Sequence, residues 1–172
     1  MLTRRLLIVE DDARLRTIVR EFARIRARGL PFRVETREAG DLETALALLP
    51  QVHAVLCDGS FPETPRDLPG CNWQKLSNAC DAHAIPFVLL SGDDVMVGVA
   101  SQRGVMAYSK TRTPFLRIEL GFPPIDTLLR ALGAESCEAR RSTPVENPRV
   151  LEMNGTNQHL GDEEEVEDDL HR

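Results

Sequence analysis

Apolar positions along this chain follow two periods in alternation. Three short unbroken runs, Leu6-Leu7-Ile8-Val9, Ala54-Val55-Leu56-Cys57 and Phe87-Val88-Leu89-Leu90, have the length and continuity of strands buried on both faces, and a fourth, Val105-Met106-Ala107-Tyr108, reads as a further strand. A fifth segment, Phe32-Arg33-Val34-Glu35-Thr36, alternates and suits a strand with one wetter face. Between the runs the period becomes helical. Leu15, Ile18, Val19, Phe22 and Ile25 form one stripe, with Asp12 as its N-cap and Gly29 as its stop. Leu42, Ala45, Leu46 and Leu49 form a second over 41–49, closed by Pro50, and Trp73, Leu76, Ala79 and Cys80 mark a third over about 72–82. Residues 93–103, interrupted by Gly98 and loaded with valine, predict a poor fourth helix, short or mobile. Ile125, Leu128, Leu129 and Leu132 mark the last, with Pro124 in its first turn and Gly133 as its stop.

This order of strands and helices predicts an α/β fold, a doubly wound parallel sheet. Two segments depart from it. Residues 63–70 contain Pro65 and Pro69 and must form a loop. Leu116, Ile118 and Leu120 alternate with Arg117 and Glu119, which predicts an extra antiparallel strand over 115–120, with an ordered loop as the alternative. Beyond Glu135 no period is sustained, so the reading is one domain over 1–134 and a disordered acidic tail over 135–172.

Charge sharpens that division. Residues 136–172 carry ten acids and four bases, a net of −6, and the whole chain is also −6, so residues 1–135 balance to zero. A neutral body and an acidic, aperiodic tail argue against nucleic acid as a partner and against a DNA-binding output domain in 136–172. Cys57, Cys71, Cys80 and Cys137 show no CxxC spacing and fit reduced thiols, and no apolar window approaches a membrane span. The expected location is the cytoplasm, with no membrane partner.

The chemistry collects at the ends of the strands. Glu10 and Asp11 follow the first apolar run, Asp58 ends the third strand, Ser91 the fourth and Lys110 the fifth. In an open parallel sheet the carboxyl ends of the strands share one crevice, so these groups converge. Three carboxylates there repel one another unless a cation compensates, and hard oxygen ligands in an open site suit Mg²⁺. A carboxylate is also a nucleophile toward phosphoryl groups, while Ser91 offers a hydrogen bond and Lys110 a point charge for phosphoryl oxygens. The set has the parts of a phosphoryl-transfer site.

With these residues in this order, and Pro62 four residues after Asp58, residues 4–133 resemble a receiver domain of the two-component response regulator family. The resemblance implies a five-stranded parallel sheet in the order 2-1-3-4-5. It implies that Asp58 is the phosphoacceptor and that Glu10, Asp11, Asp58 and the backbone carbonyl of Ser60 bind Mg²⁺. Ser91 and Lys110 would contact the phosphoryl group, with Ser91 and Tyr108 as switch residues. The partners implied are a histidine kinase or phosphotransfer protein as donor and a protein target downstream.

The chain departs from the family pattern at three places. Only Ser109 separates Tyr108 from Lys110, where the family usually has two residues, so Ala107 competes with Tyr108 for the switch position. Thr111 replaces the usual proline after the lysine, and the loop over 62–70 is longer than usual, bordering the site where it could gate access to Asp58. These departures keep open a second reading, a pseudo-receiver that acts as a protein-interaction module without phosphorylation. A hydrolase with true turnover is disfavoured, because Gly59-Ser60 follows Asp58 where a general base would be needed.

Overall fold

In a computed structural model, which describes residues 1–112 and 122–141 with side chains as far as residue 134, the apolar runs become the strands of one sheet. The strands are β1 (Thr3–Val9), β2 (Arg33–Ala39), β3 (Ala54–Asp58), β4 (Phe87–Ser91) and β5 (Met106–Ser109). The helices are α1 (Ala13–Arg26), α2 (Leu42–Leu48), α3 (Trp73–Ala82), α4 (Asp94–Gln102) and α5 (Pro123–Arg141). All strand pairs are parallel and the order is β2-β1-β3-β4-β5, the doubly wound arrangement expected. The crossing point lies between β1 and β3, where such sheets open a crevice beyond their carboxyl ends.

Alternation along the strands divides the core into two layers. Leu6, Ile8, Leu56, Val88 and Leu90 face α1 and α5, packing on Val19, Phe22, Ile125, Leu128 and Leu132. Leu7, Val9, Val55, Cys57 and Leu89 face the other way, onto Leu42, Ala45, Trp73, Leu76 and Ala100. Burial on both faces explains why these strands read as continuous apolar runs. Phe22 and Phe122 stack at 4.8 Å between ring centres, locking the entry to α5 onto α1. Truncating a central residue such as Leu56 to Ala costs about 2–5 kcal/mol.

Local signals place most helix ends as expected. The Asp12 carboxylate accepts from the amides of Arg14 and Leu15, and Gly29, at φ +82°, turns the chain after α1. Asp41 caps α2 through the Thr44 amide, and Pro50 sits inside a 3₁₀ turn, Leu49–Gln51, that continues the helix. The poor helix α4 forms over nine residues, capped by Asp93 through the amides of Val95 and Met96.

Three expectations differ. β2 runs on to Ala39, because its partner β1 continues to Val9 and pairs it throughout, while Phe32 lies in the core just outside the strand. Ile18 in the α1 stripe and Leu46 in the α2 stripe are both exposed, and on α1 Ala23 takes a buried place instead. The last helix does not stop at Gly133 but continues to Arg141: Gly133 keeps a negative φ, and an added Cβ there would meet Phe32 Cε1 at 3.6 Å. The segment predicted as an extra strand over 115–120 lies outside the described residues, as does the acidic tail beyond 141. Among the described residues, no helix is long and apolar enough to cross a membrane.

Candidate active site

Strand register builds the site. Val9 pairs with Cys57 across β1 and β3, so Glu10 and Asp58, one residue further on, emerge side by side. Asp11 joins them: Glu10, Asp11 and Asp58 each offer a carboxylate oxygen, and the three oxygens lie within 4.8 Å of one another. Glu10 is buried and Asp11 exposed, which opens the trio toward solvent on one side.

Lys110 joins the trio from β5. The amide of Lys110 donates to the Ser91 carbonyl at 2.7 Å, which fixes its backbone against the end of β4. From there Nζ reaches Glu10 Oε2 at 2.7 Å and Asp58 Oδ1 at 2.9 Å. Thr111 secures this turn through Ser109: the two hydroxyls lie 2.7 Å apart, and the Thr111 amide donates to Ser109 Oγ at 3.2 Å.

The electrostatics follow from burial. Desolvation, helped by the charge of Asp58, pushes Glu10 up to about 7, against the opposing pull of Lys110. Burial works against the Lys110 ammonium, but its hydrogen bonds to Glu10 and Asp58, and their charges, outweigh this and raise its pKa. Lys110 therefore stays charged while the trio remains short of positive charge. At Asp58 both hydrogen bonds fall on Oδ1, from Lys110 Nζ and from the Gly59 amide at 2.6 Å, so Oδ2 carries no described hydrogen bond.

Ser91 reaches the site past Gly59. Its hydroxyl accepts from the Asp93 amide at 3.1 Å and lies 3.6 Å from Met96 Sδ. A Cβ added at Gly59 would lie 2.4 Å from Ser91 Oγ and 2.3 Å from Met96 Sδ, so only glycine fits between Asp58 and Ser91. Ser60 follows, exposed.

Tyr108 is not brought to Ser91. Leu90 pairs with Tyr108 and Ser91 with Ser109, and successive residues point to opposite faces, so Tyr108 shares the α5 face with Leu90. Its hydroxyl lies 2.8 Å from Thr127 Oγ1. Ala107 packs in the opposite layer, on the side of Ala100 and Met96. Both residues still border α4, lining one cavity with Asp94, Val97 and Gly98.

The base of the long loop is fastened. Phe61, fully buried, pairs with Gly70 through two backbone bonds, and Asn72 Nδ2 adds a third to the Phe61 carbonyl at 2.9 Å. The carbonyls of Pro62 and Glu63 accept from the first amides of α2, Leu42 and Glu43, each at 3.0 Å.

No family profile matches this chain, and comparison with curated proteins finds no match. Solved structures do match. The isolated receiver domain of RcsB from Salmonella enterica serovar Typhimurium, determined with the phosphomimetic BeF₃⁻, superposes with a TM-score of 0.55 at 15% identity, covering 77% of this chain and 89% of that one. A response regulator receiver domain protein from Clostridium thermocellum gives 0.53 at 13% identity, covering 77% and 98%.

The fold is that of the receiver domains. A longer RcsB structure from Salmonella typhimurium, described for its conformational dynamism in DNA interaction, gives 0.54 at 14% identity, and this chain spans 60% of its length. Glu10, Asp11, Asp58 and Lys110 meet at one point, Ser91 stands behind Gly59, and the Tyr108 ring lies on the α5 face of the sheet. Arg16 and Met96 carry no sequence signal that separates them from their neighbours. Arg16 in particular reads as one exposed arginine among several on α1, yet its guanidinium is committed to the backbone beneath Glu10 and Asp11.

Proposed function

We propose that this chain is a phosphoacceptor of a phosphorelay, taking a phosphoryl group on Asp58 and signalling through protein contacts. The observation that supports it most is Lys110 bridging Glu10 and Asp58 with Asp11 at the same point. Such a cluster is costly for a merely structural site, because three acids share one ammonium.

The donor set fits Mg²⁺. Carboxylate oxygens of Glu10, Asp11 and Asp58 would hold the ion, with the Ser60 carbonyl as a further oxygen. Bound there, Mg²⁺ supplies charge for phosphoryl oxygens. Asp58 Oδ2 is the nucleophile: it bonds to phosphorus as the donor's bond to phosphorus breaks, and the donor group leaves with the electron pair. The product is an acyl phosphate. Lys110 meets a phosphoryl oxygen as its hold on Asp58 Oδ1 loosens, and Ser91 turns its hydroxyl from Met96 toward another. By the likeness to receiver domains, the donor is a histidine kinase or phosphotransfer protein, in the cytoplasm.

The test is intact mass after incubation with Mg²⁺ and acetyl phosphate. Wild type should gain one phosphoryl group that depends on Mg²⁺, and Asp58→Asn none. A second reading, an interaction module that needs no phosphorylation, draws on Ala107 in the layer beside α4 and Tyr108 tied to Thr127. It predicts no mass gain and no response to beryllofluoride.

A further inference from the structure

Arg16 lies on the second turn of α1, and its side chain folds back under the loop that carries the acids. Nη1 donates to the carbonyl of Glu10 and, at 3.1 Å, to that of Asp11. Nε lies 3.6 Å from Glu38 Oε2 near the end of β2, and the guanidinium packs so closely on the next turn that a Cβ at Gly40 would stand 3.3 Å from Nη1. On the other side of the same loop, the Glu10 amide donates to the Ala39 carbonyl at 3.1 Å. The loop is thus pinned from two directions to one strand end.

We infer that Arg16 is a positioning residue for the cation site: by taking both loop carbonyls it leaves the carboxylates of Glu10 and Asp11 to face Asp58. The inference rests on the Mg²⁺ reading above and adds to it a residue that touches neither metal nor phosphoryl group. A planar guanidinium suits the task because it serves two carbonyls and one carboxylate at once. A lysine ammonium is a point charge without that fixed fork. Groups that orient metal ligands are commonly worth about 10–100-fold in metal affinity. Only 20% of the Arg16 side chain is exposed, as expected for a group committed to the loop.

The experiment titrates Mg²⁺ into wild type, Arg16→Ala, Arg16→Lys and the exposed control Arg24→Ala, followed by calorimetry and by emission of Trp73, the one tryptophan in the chain. Urea unfolding of each in EDTA runs alongside. Arg16→Ala should weaken Mg²⁺ binding about 10–100-fold and Arg16→Lys by a smaller factor, with Arg24→Ala unchanged. Phosphorylation of Asp58 in the Arg16 variants should return toward the wild-type rate at saturating Mg²⁺, which general loss of structure would not allow. If Arg16→Ala fails to fold, Arg16→Lys carries the comparison. Wild-type affinity in both folded Arg16 variants, or in Arg16→Lys when it is the only one that folds, overturns this inference alone. A wild type that binds no Mg²⁺ overturns the cation reading and this inference together.

Discussion

Tyr108 Oη and Thr127 Oγ1 lie 2.8 Å apart, and this bond holds the ring on the face of the sheet opposite Ser91. A ring so held is expected to stay in place when the Ser91 hydroxyl moves. Tyr108→Phe and Thr127→Val should each cost about 1 kcal/mol in urea unfolding, with the double variant costing no more than either alone. Tyr108 is the only tyrosine in the chain, so its ring resonances can be followed without ambiguity. They should stay in place when beryllofluoride and Mg²⁺ are added; a large shift would show a switching ring.

The Glu10–Asp58 pair makes the metal-free protein sensitive to pH. Burial and the charge of Asp58 raise Glu10 from 4.5 to about 7 in the folded state, so the fold binds a proton that the unfolded chain has released. Stability in EDTA should therefore fall as pH rises from about 4.5 to 7, by about 1–3 kcal/mol. Lys110 adds no slope in that window, because its raised pKa keeps it charged throughout. Glu10→Gln should flatten the profile. Mg²⁺ binding should run the opposite way, weakening below about pH 7 as Glu10 takes up the proton that the cation displaces. Urea midpoints and Mg²⁺ titrations between pH 5 and 8 measure both slopes.

Gly59 is a steric requirement of the site. In Gly59→Ala the new Cβ meets Ser91 Oγ at 2.4 Å, Ser91 Cβ at 2.8 Å and Met96 Sδ at 2.3 Å. Met96 is flexible and can move, but Ser91 is buried at the end of β4 and cannot. The variant should lose about 1–3 kcal/mol of stability and most of its phosphorylation. Adding Met96→Ala should recover only part of the loss, since the Ser91 contact persists. Full recovery in the double variant would show that Met96 alone sets the limit.

What could be read from the sequence and what could not divide along physical lines. Leu6 to Val9 and Ala54 to Cys57 announce central parallel strands because both their faces are buried, and Glu10, Asp58 and Lys110 are legible because strand ends converge in any such sheet. The facing of Ala107 and Tyr108 depends on register with β4, which a chain of four apolar residues does not encode. Arg16 and Arg14 look alike in sequence; only the path of the loop over α1 separates one that holds two carbonyls from one that is exposed. Gly133 is a good stop signal, yet it does not take the left-handed turn that would end the helix, and α5 runs through it to Arg141.

The loop over 62–70 offers the last prediction. A gate over Asp58 must be free to swing, but here the base is closed by the Phe61–Gly70 pair and Asn72, and the carbonyls of Pro62 and Glu63 are bonded to the start of α2. Its remaining turn, where the Thr64 amide donates to Asp67 Oδ2 at 2.9 Å, is local, and Leu68 beyond it is fully open to solvent. Replacing residues 64–68 with a shorter turn should leave the rate of phosphorylation by acetyl phosphate within about twofold of wild type. Asn72→Ala, by contrast, removes a buried bond at the base and should cost about 1 kcal/mol in urea unfolding. A marked rise in phosphorylation rate on shortening the loop would restore the gate.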